Sequence, residues 1–124
     1  MANPDRGARV VLSENARRDI VRVLRWSESN FGELAAARYR ALLLQALRDI
    51  AENPERPGSS PRPEIKPGIR AYHLRSSRDR VAATSDIVRS PRHFLLYRQR
   101  AEDIIEVVRV LHDARDLRSH LADA

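Results

Sequence analysis

The chain has 124 residues, with Lys+Arg 23 against Asp+Glu 17 for a formal net charge of +6, and no cysteine. That length supports one domain with a modest core, and the lack of thiols excludes disulfides, thiolate zinc sites and a cysteine nucleophile. No basic stretch leads into a long apolar run at the N-terminus and no run of about 18 apolar residues occurs, so neither a signal peptide nor a spanning helix is expected, and the chain reads as cytoplasmic.

In chain order, residues 1–8 read as a loose start, with Asn3-Pro4 and Arg6-Gly7 as breakers. Arg9-Val10-Val11-Leu12 is a short β-branched run expected to form a strand. Ser13 then offers an oxygen to the first free amides of a helix whose positive end suits Glu14. Ala16, Ile20, Val23, Leu24 and Phe31 recur at helical spacing, with Arg17, Arg18, Asp19, Arg22 and Arg25 assigned to the solvent side. Ser27-Glu28-Ser29-Asn30 before Gly32 reads as an interruption. Ala35, Tyr39, Leu42, Leu43, Ala46, Leu47 and Ile50 form the apolar stripe of a second helix, stopped by Asn53-Pro54. The short connection predicts an antiparallel helical hairpin.

From Asn53 to Gly68 five prolines mark an extended loop. Beyond it the periodicity changes, and Ile69–Leu74, His93–Arg98 and Ile104–Leu111 are expected strands. Arg75–Arg92 is too long for a tight hairpin turn and reads as a projecting basic excursion. Leu117–Ala122 is expected to make a short helical turn, with 122–124 loose. The predicted fold is one α+β domain, β-α-α-β-β-β, its helical hairpin packed on one face of a mostly antiparallel sheet.

The charge is concentrated. Lys66 to Arg100 holds nine cationic residues and two acids, a net +7, more than that of the whole chain. All cations but Lys66 are arginines, whose planar fork fits carboxylates and phosphates. A compositional bias towards arginine accounts for the residue type but not for the clustering. Arg70, Arg75, Arg78, Arg80, Arg89 and Arg92 are therefore candidate contacts for a partner or target.

No phosphate-cradling glycine loop or Gly-x-Ser-x-Gly elbow is present, and His73, His93, His112 and His120 lack the spacing of a shared metal site. No metal or cofactor is expected. His73 and His93 fall within expected strands and read as structural imidazoles, whereas His112 stands at a strand end, where working residues are common. There its ring can instead hold the following turn through Asp113 or Asp116. Arg109, within an apolar strand, needs a partner, for which Glu106 or Asp116 is available.

The run Val107-Val108-Arg109-Val110-Leu111-His112-Asp113-Ala114-Arg115-Asp116-Leu117 resembles the C-terminal signature of ParE toxins, in the RelE/ParE superfamily of bacterial type II toxin–antitoxin systems. Pro67-Gly68-Ile69-Arg70, Phe94-Leu95-Leu96-Tyr97-Arg98, Leu12-Ser13 and Asn53-Pro54-Glu55 fall where that family has similar segments, and the Arg75–Arg92 excursion is longer than its usual crossing. The resemblance implies a strand–helix–helix–three-strand fold. It also implies a growth-inhibiting toxin in a hetero-oligomer with an acidic, ParD-like antitoxin that binds DNA through a ribbon-helix-helix domain and wraps a flexible tail around the toxin.

Members similar to ParE poison DNA gyrase by protein contact, without catalysis of their own. On that reading Arg98, Arg109, His112 and Asp116 join the partner-binding arginines. RelE-like members are ribosome-dependent endoribonucleases, and 2′-OH attack on RNA needs a base, an acid and cations for the phosphorane. For that alternative the candidates are His112, Arg98, Arg109 and Tyr97, although the tail Leu117-Arg118-Ser119-His120-Leu121 lacks the late Tyr-rich or His-Tyr ending of such enzymes. A third possibility, a basic nucleic-acid-binding module, fits the charge but has only 5% aromatic residues for base stacking.

Overall fold

The computed structural model describes residues 7–81 and 88–113. Strand β1 (Arg9–Leu12) leads into α1 (Glu14–Phe31) and α2 (Glu33–Glu52), followed by β2 (Ser59–Pro61), β3 (Arg70–His73), a 3-10 helix (Leu74–Arg80), β4 (His93–Ala101) and β5 (Ile104–His112). The strands form one sheet in the order β1-β5-β4-β3-β2, parallel only between β1 and β5.

Ser13 caps α1 as expected, its Oγ accepting from the Ala16 amide at 3.0 Å while donating to the Val108 carbonyl at 2.8 Å. The expected interruption at Ser27–Asn30 is absent, and α1 continues to Phe31. Gly32 alone joins the helices, at φ 94 and ψ 171, a conformation open essentially only to glycine. A single-residue joint turns α2 straight back along α1.

The hairpin covers one face of the sheet. Leu42, Leu43, Ala46 and Ile50 from α2 pack with Tyr72, Leu95, Tyr97, Ile105 and Val107. A smaller apolar cluster of Ala71, Phe94, Leu96 and Leu111 lies on the opposite face, as strand alternation requires. Two assignments on α1 are corrected. Phe31 is 66% exposed, because the helix end runs past the sheet, and Asp19 is buried at 5% exposure, because β5 supplies it with partners.

The Pro-rich segment contains a strand the sequence did not announce. Ser59–Pro61 pairs antiparallel with Arg70–Tyr72 at the sheet edge, where proline's missing N–H faces no neighbour. The start of the basic excursion does not project either: Leu74–Arg80 is a 3-10 helix tied to α2, with Ser77 fully buried. Arg78 also donates to the Arg89 carbonyl at 2.8 Å, pinning the two described stems of the excursion together. Residues 82–87, the turn at Leu117–Ala122, residues 1–6 of the expected loose start 1–8 and the expected loose end 122–124 lie outside the described residues.

Candidate functional site

The ends of β3, β4 and β5 bring polar side chains together at one edge of the sheet. His93 and His112 are register partners, and their rings meet edge to face at 5.3 Å. Tyr39 of α2 closes over them, its hydroxyl hydrogen-bonded with His93 Nδ1 at 2.7 Å and accepting from the Arg92 amide at 3.3 Å. Burial pushes the Tyr39 hydroxyl up to about 12, so it stays protonated across the physiological range.

Beside this stack His73 Nε2 meets Asp113 Oδ2 at 2.9 Å, and Arg92 Nε donates to Asp113 Oδ1 at 3.1 Å. His73 Nδ1 accepts from the Arg75 amide at 3.1 Å, which assigns the proton to Nε2 and makes the carboxylate its acceptor. Burial lowers the His73 pKa against the opposing pull of Asp113. Burial alone would raise the Asp113 carboxyl, but the hydrogen bonds from His73 and Arg92 outweigh it and hold the carboxyl below its ordinary value.

Both shifts make acid destabilising. Because folded His73 binds its proton less readily than the unfolded chain, stability falls as pH drops below about 6.5, until folded His73 is itself protonated. The contribution of Asp113 is present above its unfolded value of 3.8 and is lost as pH falls through the folded one. A His73→Gln variant is therefore expected to show a flatter urea midpoint between pH 7 and pH 5 than the parent protein.

Apart from Arg92, bound to Asp113, most candidates drawn from the sequence do not gather at this edge. His112 does, but its neighbour is the His93 ring, and Asp113 is held mainly by His73, with His112 Nδ1 at 3.8 Å. Arg98 pairs with its cross-strand neighbour Glu106 at 2.9 Å, five residues along β4 from His93 and thus about 17 Å from the histidine pair. Tyr97 is fully buried on the helix-covered face, donating to the Pro54 carbonyl at 2.6 Å and lying against the Ser59 hydroxyl. Ser59 in turn accepts from Arg70 Nε at 2.8 Å, and Tyr97 and Arg70 line a cavity of about 200 Å³ below the Pro-rich loop.

Of the two partners expected for Arg109, Glu106 pairs with Arg98 and Asp116 lies outside the described residues. Arg109 forms an ion pair with Asp19 of α1, with Nε to Oδ2 at 2.7 Å and Nη2 to Oδ1 at 3.1 Å. The same carboxylate accepts the Val110 amide at 2.9 Å, a strand-edge N–H that β1 ends too early to reach. Among the partner-binding candidates, Arg80 donates to buried Asp49 at 3.0 Å, Arg75 and Arg89 are exposed, and Arg78 and Arg92 are partly engaged as described. Asp116 lies outside the described residues.

Sequence reasoning missed Tyr39, His73 and Asp113 as members of one edge, and Asp19 and Asp49 as buried anchors. The two acids had a signal. Asp19 falls at i+3 from Ala16 and Asp49 at i+3 from Ala46, each on its helix's apolar face. Among the described residues no group of three or more His, Cys, Asp or Glu can hold a metal ion, and no helix is long and apolar enough to cross a membrane.

The search of curated proteins finds no match. Among solved structures, a chain of the chromosomal ParDE TA system from P. aeruginosa is similar in fold, with a TM-score of 0.60 at 12% identity over 85% of this chain and 95% of that one. A family model described as "ParE toxin of type II toxin-antitoxin system, parDE" matches residues 10–117, from the first strand through the C-terminal run that follows β5. With the five-stranded sheet and its helical hairpin in agreement, the chain belongs to the ParE toxin family of type II toxin–antitoxin systems.

Proposed function

We propose that this toxin arrests growth by binding DNA gyrase, acting through protein contact, and that an acidic, ParD-like antitoxin encoded beside it neutralises it in the cytoplasm. One observation carries the choice against RNA cleavage. Arg98, Arg109, Tyr97 and His112 are each engaged in a different pairing, with Glu106, Asp19, Pro54 and the His93 ring, along the length of the sheet. A phosphorane intermediate needs its base, acid and cations within a few ångströms of one phosphate. The +7 segment from Lys66 to Arg100, with Arg75, Arg89 and Arg92 exposed, suits an acidic segment that orders on binding.

The test runs two assays in parallel. Purified toxin is expected to inhibit gyrase supercoiling and to accumulate cleaved gyrase–DNA complexes, and addition of the antitoxin is expected to reverse both. Ribosome-dependent cuts in mRNA with gyrase unaffected would overturn the proposal in favour of an endoribonuclease.

A further inference from the structure

The cavity below the Pro-rich loop is built around an arginine with one nitrogen left over. Pro54, Pro61, Pro63, Ile69 and the buried ring of Tyr97 give it a mostly apolar lining. Arg70 Nε donates to the Ser59 hydroxyl at 2.8 Å and Nη2 meets the Ser59 carbonyl at 3.4 Å. Among the described residues, Nη1 has only Glu55, at 3.8 Å. Ser59 is itself fixed, donating to the Pro54 carbonyl at 3.0 Å and lying against the Tyr97 hydroxyl. The guanidinium fork is therefore held in place before any ligand arrives. A charge-assisted pair that serves the fold alone closes to about 2.7–2.9 Å. This one stays open: the Glu55 side chain is 80% exposed, beside an Arg70 side chain only 22% exposed.

The cavity thus presents one cation and one anion side by side. Gln99, also in its lining, adds an acceptor, because its amide nitrogen is engaged by the Glu102 carbonyl at 2.9 Å and only the oxygen is left. We infer that this cavity binds a free α-amino acid with an apolar side chain. Its carboxylate sits on Arg70 Nη1, its ammonium on Glu55, and its side chain among the prolines. The two charges select the class. A simple carboxylate or a phosphate meets the repulsion of Glu55, and a simple amine meets that of Arg70. A zwitterion satisfies both and makes the close contacts that the protein pair leaves unmade. Size agrees, since about 200 Å³ lies below the roughly 300–1,000 Å³ of sites for drug-sized ligands. The site stands apart from the histidine edge, further along β4, where Tyr97 and Gln99 border it.

Full-length toxin is titrated calorimetrically with leucine, with isocaproate, which lacks the ammonium, and with isoamylamine, which lacks the carboxylate. Saturable binding of leucine is expected, with a dissociation constant of about 1 mM or tighter, within reach of a ligand of so few atoms. Both truncated analogues are expected to bind at least tenfold more weakly, and so is glycine, which lacks the apolar body. Arg70→Lys keeps the charge but loses the fork, and is expected to weaken leucine at least tenfold. Glu55→Gln is expected to do the same with melting unchanged, because that side chain is exposed and its pairing loose. It keeps the test decisive if Arg70→Lys also disturbs the fold through Ser59. Isocaproate binding as tightly as leucine, with Glu55→Gln without effect, overturns the inference in favour of a plain carboxylate site. Isoamylamine or glycine binding as tightly as leucine overturns it as well. So does the absence of saturable binding for leucine, isoleucine, methionine and phenylalanine up to about 10 mM. Neither gyrase nor antitoxin enters these readouts, so this inference and the proposed function fail separately.

Discussion

Asp19→Ala is expected to destabilise the fold by about 3 kcal/mol, the lower end of the cost of removing one partner of a buried ion pair, because the Arg109 side chain is one third exposed. Three donors converge on the carboxylate: Arg109 Nε, Arg109 Nη2 and the Val110 amide. β1 pairs with β5 only as far as Val107, so the next outward amides of β5 have no strand beside them. Asp19 takes the place of that strand, and truncation leaves an amide and a guanidinium without their acceptor. Asp19→Asn keeps an oxygen for Val110 and is expected to cost less. Urea unfolding of the two variants and of the Asp19→Leu/Arg109→Leu pair measures this, the pair being expected to lose less than the sum of its single changes.

The second large effect is expected at Asp49. This carboxylate is fully buried and accepts from Gln45 Nε2 at 2.9 Å, from Arg80 Nε at 3.0 Å and from the Ser77 hydroxyl, which itself accepts from Tyr72 at 2.8 Å. Arg56 adds a hydrogen bond to the Asp49 carbonyl at 3.3 Å. Asp49→Ala is expected to cost about 3–5 kcal/mol, because the buried Ser77 hydroxyl, the Gln45 amide and the Arg80 guanidinium lose their common acceptor. Tyr72→Phe removes one donor at the end of the relay and is expected to cost about 1 kcal/mol. The Asp49 change carries a local signature as well. The 3-10 helix loses its tie to α2, so trypsin is expected to cut after Arg75, Arg78 or Arg80 faster in Asp49→Ala than in Tyr72→Phe. Equal cutting in both would contradict a latch centred on the carboxylate.

Those two acids add buried polar ties from the hairpin to the sheet and to the 3-10 helix. Asp19 joins α1 to the far end of β5, and Asp49 joins α2 to the stem of the arginine-rich excursion. Together they hold the helices in the position from which Tyr39 reaches the polar edge it forms with His93, His112, His73 and Asp113. The candidate surface is thus set by buried pairs distant from it.

Local patterning determined most of the fold. The apolar stripe of α2, the Ser13 cap, the β-branched run of β5 and the order of elements depend on residues a few positions apart, and spacing alone exposes them. The edge strand Ser59–Pro61 was hidden because three residues rich in serine and proline carry no strand pattern until β3 lies beside them. The partner of Arg109 was hidden for a similar reason: Asp19 is ninety positions away, and only the early end of β1 opens the gap that it fills. The candidate site follows the same division. Sequence determined where the arginines cluster, since composition needs no coordinates. Only the tertiary structure decided which of them are already held by acids, because pairing depends on distances across the sheet and hairpin that the order of residues does not encode.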